Sequence, residues 1–185
     1  TMQERHISHV AMEVSSHALE ANRVSGSKFK LVGFTNLTQD HLDFHGDMAN
    51  YFAAKAKLFT SEFGELGFVN IDDSYGKKLF ETSPIPVIAL SRVSKSAQWH
   101  YEKIETSPKG YEVAIRGTGG VLIEGRLNLI GEHNLDNLLM AVINSRLIRQ
   151  KMNGDALVQV ASPGFEGLNK REVGTNSFLR GYIRN

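Results

Sequence analysis

A chain of 185 residues that is 41% hydrophobic and 22% charged, with 21 Lys+Arg against 20 Asp+Glu, has the makeup of one large globular domain with its own core. The net charge of +1 argues against a surface dedicated to polyanions, so no nucleic-acid partner is expected, and the lack of cysteine excludes disulfides, thiolate metal sites and a cysteine nucleophile. No run of 18 apolar residues occurs and Thr1–Ser8 lacks the apolar stretch of a signal peptide, so the expectation is a cytoplasmic protein with no membrane partner.

Along the chain, His9–Ser15 (HVAMEVS) alternates apolar and polar residues and reads as a strand, followed by a short helix. Lys30–Leu37 is a continuous apolar run ending in a polar loop, which is the pattern of a strand buried on both faces. Met48, Tyr51, Phe52, Ala56 and Phe59 share a helical stripe, Leu66–Ile71 reads as a third strand and Tyr75–Glu81 as a short helix. That alternation implies parallel strands with right-handed crossovers. From Pro86 to Leu129, short alternating runs separated by Ser-Pro-Lys-Gly and Gly-Thr-Gly-Gly read as antiparallel strands. Leu135–Ile148 is amphipathic, with Glu132 and Asp136 early and Arg146, Arg149 and Lys151 late, a charge order that suits a helix dipole. The fold class is therefore α/β: a mostly parallel, Rossmann-like sheet with an antiparallel extension. Beyond Pro163 the chain turns polar and Gly-rich, and a loose tail is expected.

Four segments can carry chemistry. Glu13 lies near the carboxyl end of the first predicted strand, where ligands bind in open α/β sheets; it needs a cation or donors there, or it is simply an outer-face residue. Asp40, His41, Asp43 and His45 place two carboxylates and two imidazoles within six residues, a donor set suited to Mg²⁺ or Mn²⁺ and equally common in ordinary loop turns. Lys55 falls about 20° from the centre of the apolar stripe, whereas Lys57 falls on the opposite face. An inward lysine is pushed toward the neutral, nucleophilic amine, which can take up CO₂ beside a metal; the alternative is a lysine snorkelling to the helix edge. Asn134 and Asn137 open the long helix, as caps or as amides presented to a base or ribose.

MEVSSHAL (12–19), FTNLTQDHLDFHG (34–46), YFAAKAKLF (51–59), VNIDDSYG (69–76) and IGEHNLDNLLMAV (130–142) resemble, in this order, the central ATP-binding domain of the Mur ligases. Within that family they are most similar to the branch that adds the third amino acid to UDP-MurNAc-dipeptide. The resemblance implies an N-terminally truncated central domain over residues 1–161 and an irregular tail over 162–185. It implies an ATP-dependent acid–amino-acid ligase of peptidoglycan synthesis that works through an acyl phosphate. Its reactants are ATP, a UDP-MurNAc-peptide and an amino acid, and its metal is Mg²⁺. By resemblance Glu13, His41 and a carbamylated Lys55 support the metal. Ser15 and Arg23 contact the UDP-MurNAc-peptide, Asn134 and Asn137 lie near adenine and ribose, and Asn36 and Asp40 orient the metal ligand.

The chain departs from the family pattern in three places. No G-T-N-G-K-T phosphate loop precedes residue 9, Ala21 stands where many members have Gln, and Ser162–Glu166 resembles a P-G-R-F-E loop without its Arg. The chain alone is therefore expected not to ligate. The alternatives are a folylpolyglutamate synthase-like ligase, a non-catalytic nucleotide- or metal-binding module, and a metal hydrolase built on His41, Asp43 and His45.

Overall fold

Val32 and Val69 turn to one face of a sheet while Leu31 and Phe68 turn to the other, so the strands that carry them are apolar on both sides. These strands are β1 (Phe29–Phe34) and β2 (Gly64–Asn70), which pair in parallel, and β3 (Val87–Ser91) extends them in the same direction. The computed structural model describes residues 10–38, 42–151 and 165–166. Between β1 and β2 run the short helix α2 (Leu42–His45), helix α3 (Met48–Ala56) and a 3₁₀ turn, Lys57–Phe59. Helix α4 (Ser74–Thr82) joins β2 to β3.

The crossovers put α3 and α4 on one face, where Tyr51, Phe52, Phe59 and Leu79 pack on Val32, Phe34 and Val69. The other face is covered by α5 (Glu132–Lys151), whose Leu135, Leu138, Leu139, Val142 and Ile143 join Phe68, Leu90, Trp99 and Ile115. A three-layer α/β/α arrangement results, the stable way to cover a sheet that is apolar on both faces. Among the described residues no helix is long and apolar enough to cross a membrane.

Beyond β3 come β4 (Trp99–Ser107), β5 (Gly110–Arg116), β6 (Leu122–Leu127) and the two-residue β7 (Phe165–Glu166), in sequential order across one seven-stranded sheet. The sequence reading placed the change to antiparallel pairing at Pro86; the structure moves it past β4. β2–β3 and β3–β4 are parallel, and β4–β5, β5–β6 and β6–β7 are antiparallel. Parallel pairs ordinarily need a long crossover. Here residues 92–98 suffice because β4 starts beside the end of β3, overlapping it only at Leu90↔Trp99 and Ser91↔His100. The turn chemistry was read correctly where it acts, at the β4–β5 hairpin closed by Ser107↔Gly110.

A second correction concerns the start of the described chain. Residues 10–15 form no strand, although helix α1 (Ser16–Glu20) follows as expected. Alternation is only half of what a strand requires; the other half is a neighbour to complete its hydrogen bonds. Among the described residues β1 pairs only with β2, and Val10 and Met12 are left 60% and 52% exposed. The tail expected over 162–185 lies outside the described residues, apart from β7.

Gly76 lets α4 come down onto the end of β2: a Cβ there would stand 1.9 Å from the Asn70 carbonyl oxygen. Alanine would gain about 1 kcal/mol of helix propensity, but a backbone oxygen cannot move aside as a side-chain tip can. Gly76→Ala is therefore expected to lose roughly 2–4 kcal/mol of unfolding free energy, measured by urea denaturation. An unchanged midpoint would refute the close approach.

Candidate active site

Because β1, β2 and β3 run in one direction, their carboxyl ends open on a single edge of the sheet, the usual ligand edge of open α/β folds. Residues 35–38 leave β1 there, Ile71–Asp73 leave β2, and residues 92–98 leave β3. Two further elements reach this edge through side chains. Helix α1 arrives through Ser16 and His45, and α5 through Arg92.

The N-cap of α1 is Ser15, whose hydroxyl oxygen accepts from the Ala18 N–H at 3.2 Å. The next residue, Ser16, is buried and lies 2.8 Å from Nε2 of the buried His45. His45 stacks on Tyr51 with ring centres 4.9 Å apart, and the His17 ring stands 5.6 Å from it. One helical turn on from Tyr51, Lys55 is half-buried with its Nζ 5.4 Å from the Tyr51 ring centre. It thus lies on the Tyr51 side of α3, while Lys57 is exposed and pairs with Glu20 at 2.8 Å.

Glu13, Ser15, Arg23 and Asn36 are all exposed. Asp40 and His41 lie outside the described residues. Asp43 is exposed whereas His45 is buried against Ser16 and Tyr51, so these two do not form a common site. Among the described residues no group of three or more His, Asp or Glu side chains is placed to hold a metal ion.

The first turn of α5 is fastened at several points. Gly131 takes φ +111°, a conformation side chains rarely adopt, and its N–H donates to the Tyr111 hydroxyl at 3.1 Å. Asn134 donates from Nδ2 to the Ile130 carbonyl at 2.8 Å, so one of its two amide hydrogens is committed to the chain. Asn137, one turn on, is exposed. Tyr101 donates to the Leu135 carbonyl at 2.8 Å, and burial pushes its phenol pKa well up.

Arg92 crosses from the end of β3 to α5. Its Nε is 3.1 Å from Asp136 and an Nη is 3.0 Å from Glu132, and its backbone N–H donates to Asp72 at 2.6 Å. Asp72 also accepts from the Ser91 hydroxyl. One cation thus faces three carboxylates, and the two partners respond differently. Burial works against the Arg92 charge, but Asp136, Glu132 and Asp72 outweigh it and hold its pKa up. Burial also raises the Asp136 pKa, and there Arg92 offsets it only in part.

Sequence reading noted Glu132 and Asp136 only for the helix dipole and passed over Asp72, Ser91, Arg92 and Tyr101. No linear signal marks them, since Arg92 and Asp136 lie 44 positions apart. The chain also carries a concavity of about 480 Å³ over the outer face of β4–β6, lined by Lys103, Glu112, Ala114, Glu124 and Arg126. Lys103 pairs there with Glu105 and Arg126 with Glu112, and none of the candidate site residues lines it.

A three-layer sheet whose parallel strands β1–β3 open on one edge, beside the start of α5, defines a Rossmann-like α/β domain. Residues 1–144 match the model of the Mur ligase middle domain, and the chain belongs to that family. It is 41% identical over 143 residues to a UDP-N-acetylmuramoyl-L-alanyl-D-glutamate–2,6-diaminopimelate ligase from Streptomyces avermitilis. That match covers 77% of this chain and 28% of the relative. A UDP-N-acetylmuramyl-tripeptide synthetase from Leifsonia xyli is 40% identical with the same coverage. The chain spans only about a quarter to a third of the length of these curated relatives. Among solved structures, another such diaminopimelate ligase superposes with a TM-score of 0.64 at 24% identity, covering 77% of this chain and 29% of its own. A mutant of L. casei FPGS gives 0.55 at 11% identity over 83% of this chain and 33% of its own. The last two establish the shared fold.

The raised pKa of Asp136 has a defined pH signature. A carboxylate whose folded pKa lies above its unfolded value contributes stability that is fully present below the unfolded pKa and lost as pH rises through the folded one. Asp136→Asn removes this dependence. The difference in unfolding free energy between the variant and the parent should therefore shift toward the variant as pH rises from about 3 to about 6. Urea titrations across that range check it, and a difference that shifts the other way would mean that Arg92 dominates the pair.

Proposed function

We propose that the chain is the central, nucleotide-binding part of a ligase that adds the third amino acid to UDP-MurNAc-dipeptide. The observation that carries this reading is the family match over residues 1–144, which contains both the segment around Glu13 and the start of α5. The two segments reach the same sheet edge. The muramyl substrate is favoured over a folate by the 41% and 40% identity to a diaminopimelate ligase and a muramyl-tripeptide synthetase.

In the reaction the γ-phosphoryl group of ATP passes to the substrate carboxylate, giving an acyl phosphate and ADP. The amine of the incoming amino acid then attacks the acyl carbon, the amide forms and phosphate leaves. Asn134 and Asn137 take the adenine and ribose. Ser15 and Arg23, exposed at the two ends of α1, take the UDP-MurNAc-peptide. Glu13 supplies a carboxylate, a hard oxygen donor that suits Mg²⁺, and His41 an imidazole. Lys55 joins them only as a carbamate, because an ammonium group cannot be a ligand. Magnesium, when bound, supplies positive charge to the transferring phosphoryl group. Asn36 and Asp40 orient the ligand side chains.

Calorimetry of the chain with Mg²⁺·ATP tests the nucleotide reading. Asn134→Ala should weaken binding about tenfold, some 1.4 kcal/mol, and equal affinity would overturn the assignment. Incubation with ¹³C-bicarbonate and Mg²⁺ should give a carbamate carbonyl resonance that is lost in Lys55→Arg. If both proteins give the same spectrum, Lys55 is not the modified group.

A further inference from the structure

The placement of α1 is unusual in that the segment leading into it, residues 10–15, has no strand partner among the described residues. Its position is set from the side. Leu19 and Val24 pack with Phe63, and Glu20 makes an exposed ion pair with Lys57. Apolar packing settles which face of the helix turns inward and an exposed ion pair adds little, so the finer rotation is left to a directional contact. The buried Ser16–His45 bond is directional, and it joins the first residue of α1 to the chain leaving β1.

His45 is itself held. Its ring lies flat against Tyr51, Asn50 donates from Nδ2 to its carbonyl at 3.2 Å, and Asp47 caps α3 just beyond it by accepting from the Asn50 N–H at 2.8 Å. Tyr51 in turn is anchored in the core between α3 and the sheet. Rigidity therefore passes from the sheet through Tyr51 and His45 to Ser16.

We propose that His45 is a positioning residue for the acceptor substrate. Through Ser16 it sets the rotation of α1, so that Ser15 before the helix and Arg23 after it face the UDP-MurNAc-peptide together. This rests on the reading that Ser15 and Arg23 take that substrate. His45 and Ser16, both buried, act without touching it.

The test is the affinity of the 185-residue chain for UDP-MurNAc-dipeptide, measured with amide exchange at residues 16–20. Ser16→Ala removes the partner, His45→Phe keeps the stack on Tyr51 but removes the bond, and His45→Gln places an amide about where Nε2 stands. Ser16→Ala and His45→Phe should each weaken the substrate about tenfold and speed exchange in α1, with Mg²⁺·ATP affinity unchanged, and His45→Gln should restore both. A lower melting temperature with substrate affinity intact would reduce the bond to plain structural support and overturn the proposal. Loss in His45→Phe without loss in Ser16→Ala would mean that His45 acts directly, which also overturns it. Arg23→Ala separates the two levels. If it loses binding while the Ser16 and His45 variants do not, the positioning role fails and the substrate reading stands. If the parent does not bind, or binds no better than Arg23→Ala, the substrate reading fails and the positioning role falls with it.

Discussion

The parallel pairing of β1, β2 and β3 is the constraint on which the rest depends. Strands that run in one direction deliver all their carboxyl ends to one edge, and each crossover must return over a face of the sheet. Leu37, the Ile71–Asp73 turn and Arg92 are therefore neighbours in space, linked by hydrogen bonds to Asp73 and Asp72, although more than 50 positions separate the first from the last. Helices α3 and α4 on one face and α5 on the other then close the core around the same strands.

The edge so formed is held mainly by polar contacts. Asp72, Ser91, Arg92, Glu132 and Asp136 make one network in which a single guanidinium balances three carboxylates. Such a network is favourable only while each member keeps its partners, and the raised pKa of Asp136 shows that burial of the charge is not fully offset. Excess negative charge at the start of α5 suits the helix dipole.

The candidate site was legible in the sequence to uneven depth. Lys55 stood out because the helical period places it beside apolar residues, and it is half-buried next to Tyr51. His45 was read as one of four possible metal donors in a polar loop, and only the fold brings it to Ser16. Glu13 was placed on a strand because alternation is visible in seven residues, whereas the lack of a partner for residues 10–15 among the described residues is not. Arg92 left no trace, since a guanidinium looks the same in sequence whether it meets water or two carboxylates of a distant helix.

What the sequence by itself determined is local: the helical stripes of α3 and α5, the doubly apolar strands, the hairpin turn between β4 and β5, and five ordered motifs that point to one family. Each follows from side-chain period, backbone freedom or residue chemistry within a short window. Tertiary structure alone decided that β3 and β4 run parallel, that residues 10–15 stay outside the ladder, and that His45 and Arg92 tie α1 and α5 to the ligand edge. Those outcomes depend on which distant groups complete each other's hydrogen bonds and charges, and pairing across tens of residues leaves no period for a sequence to show.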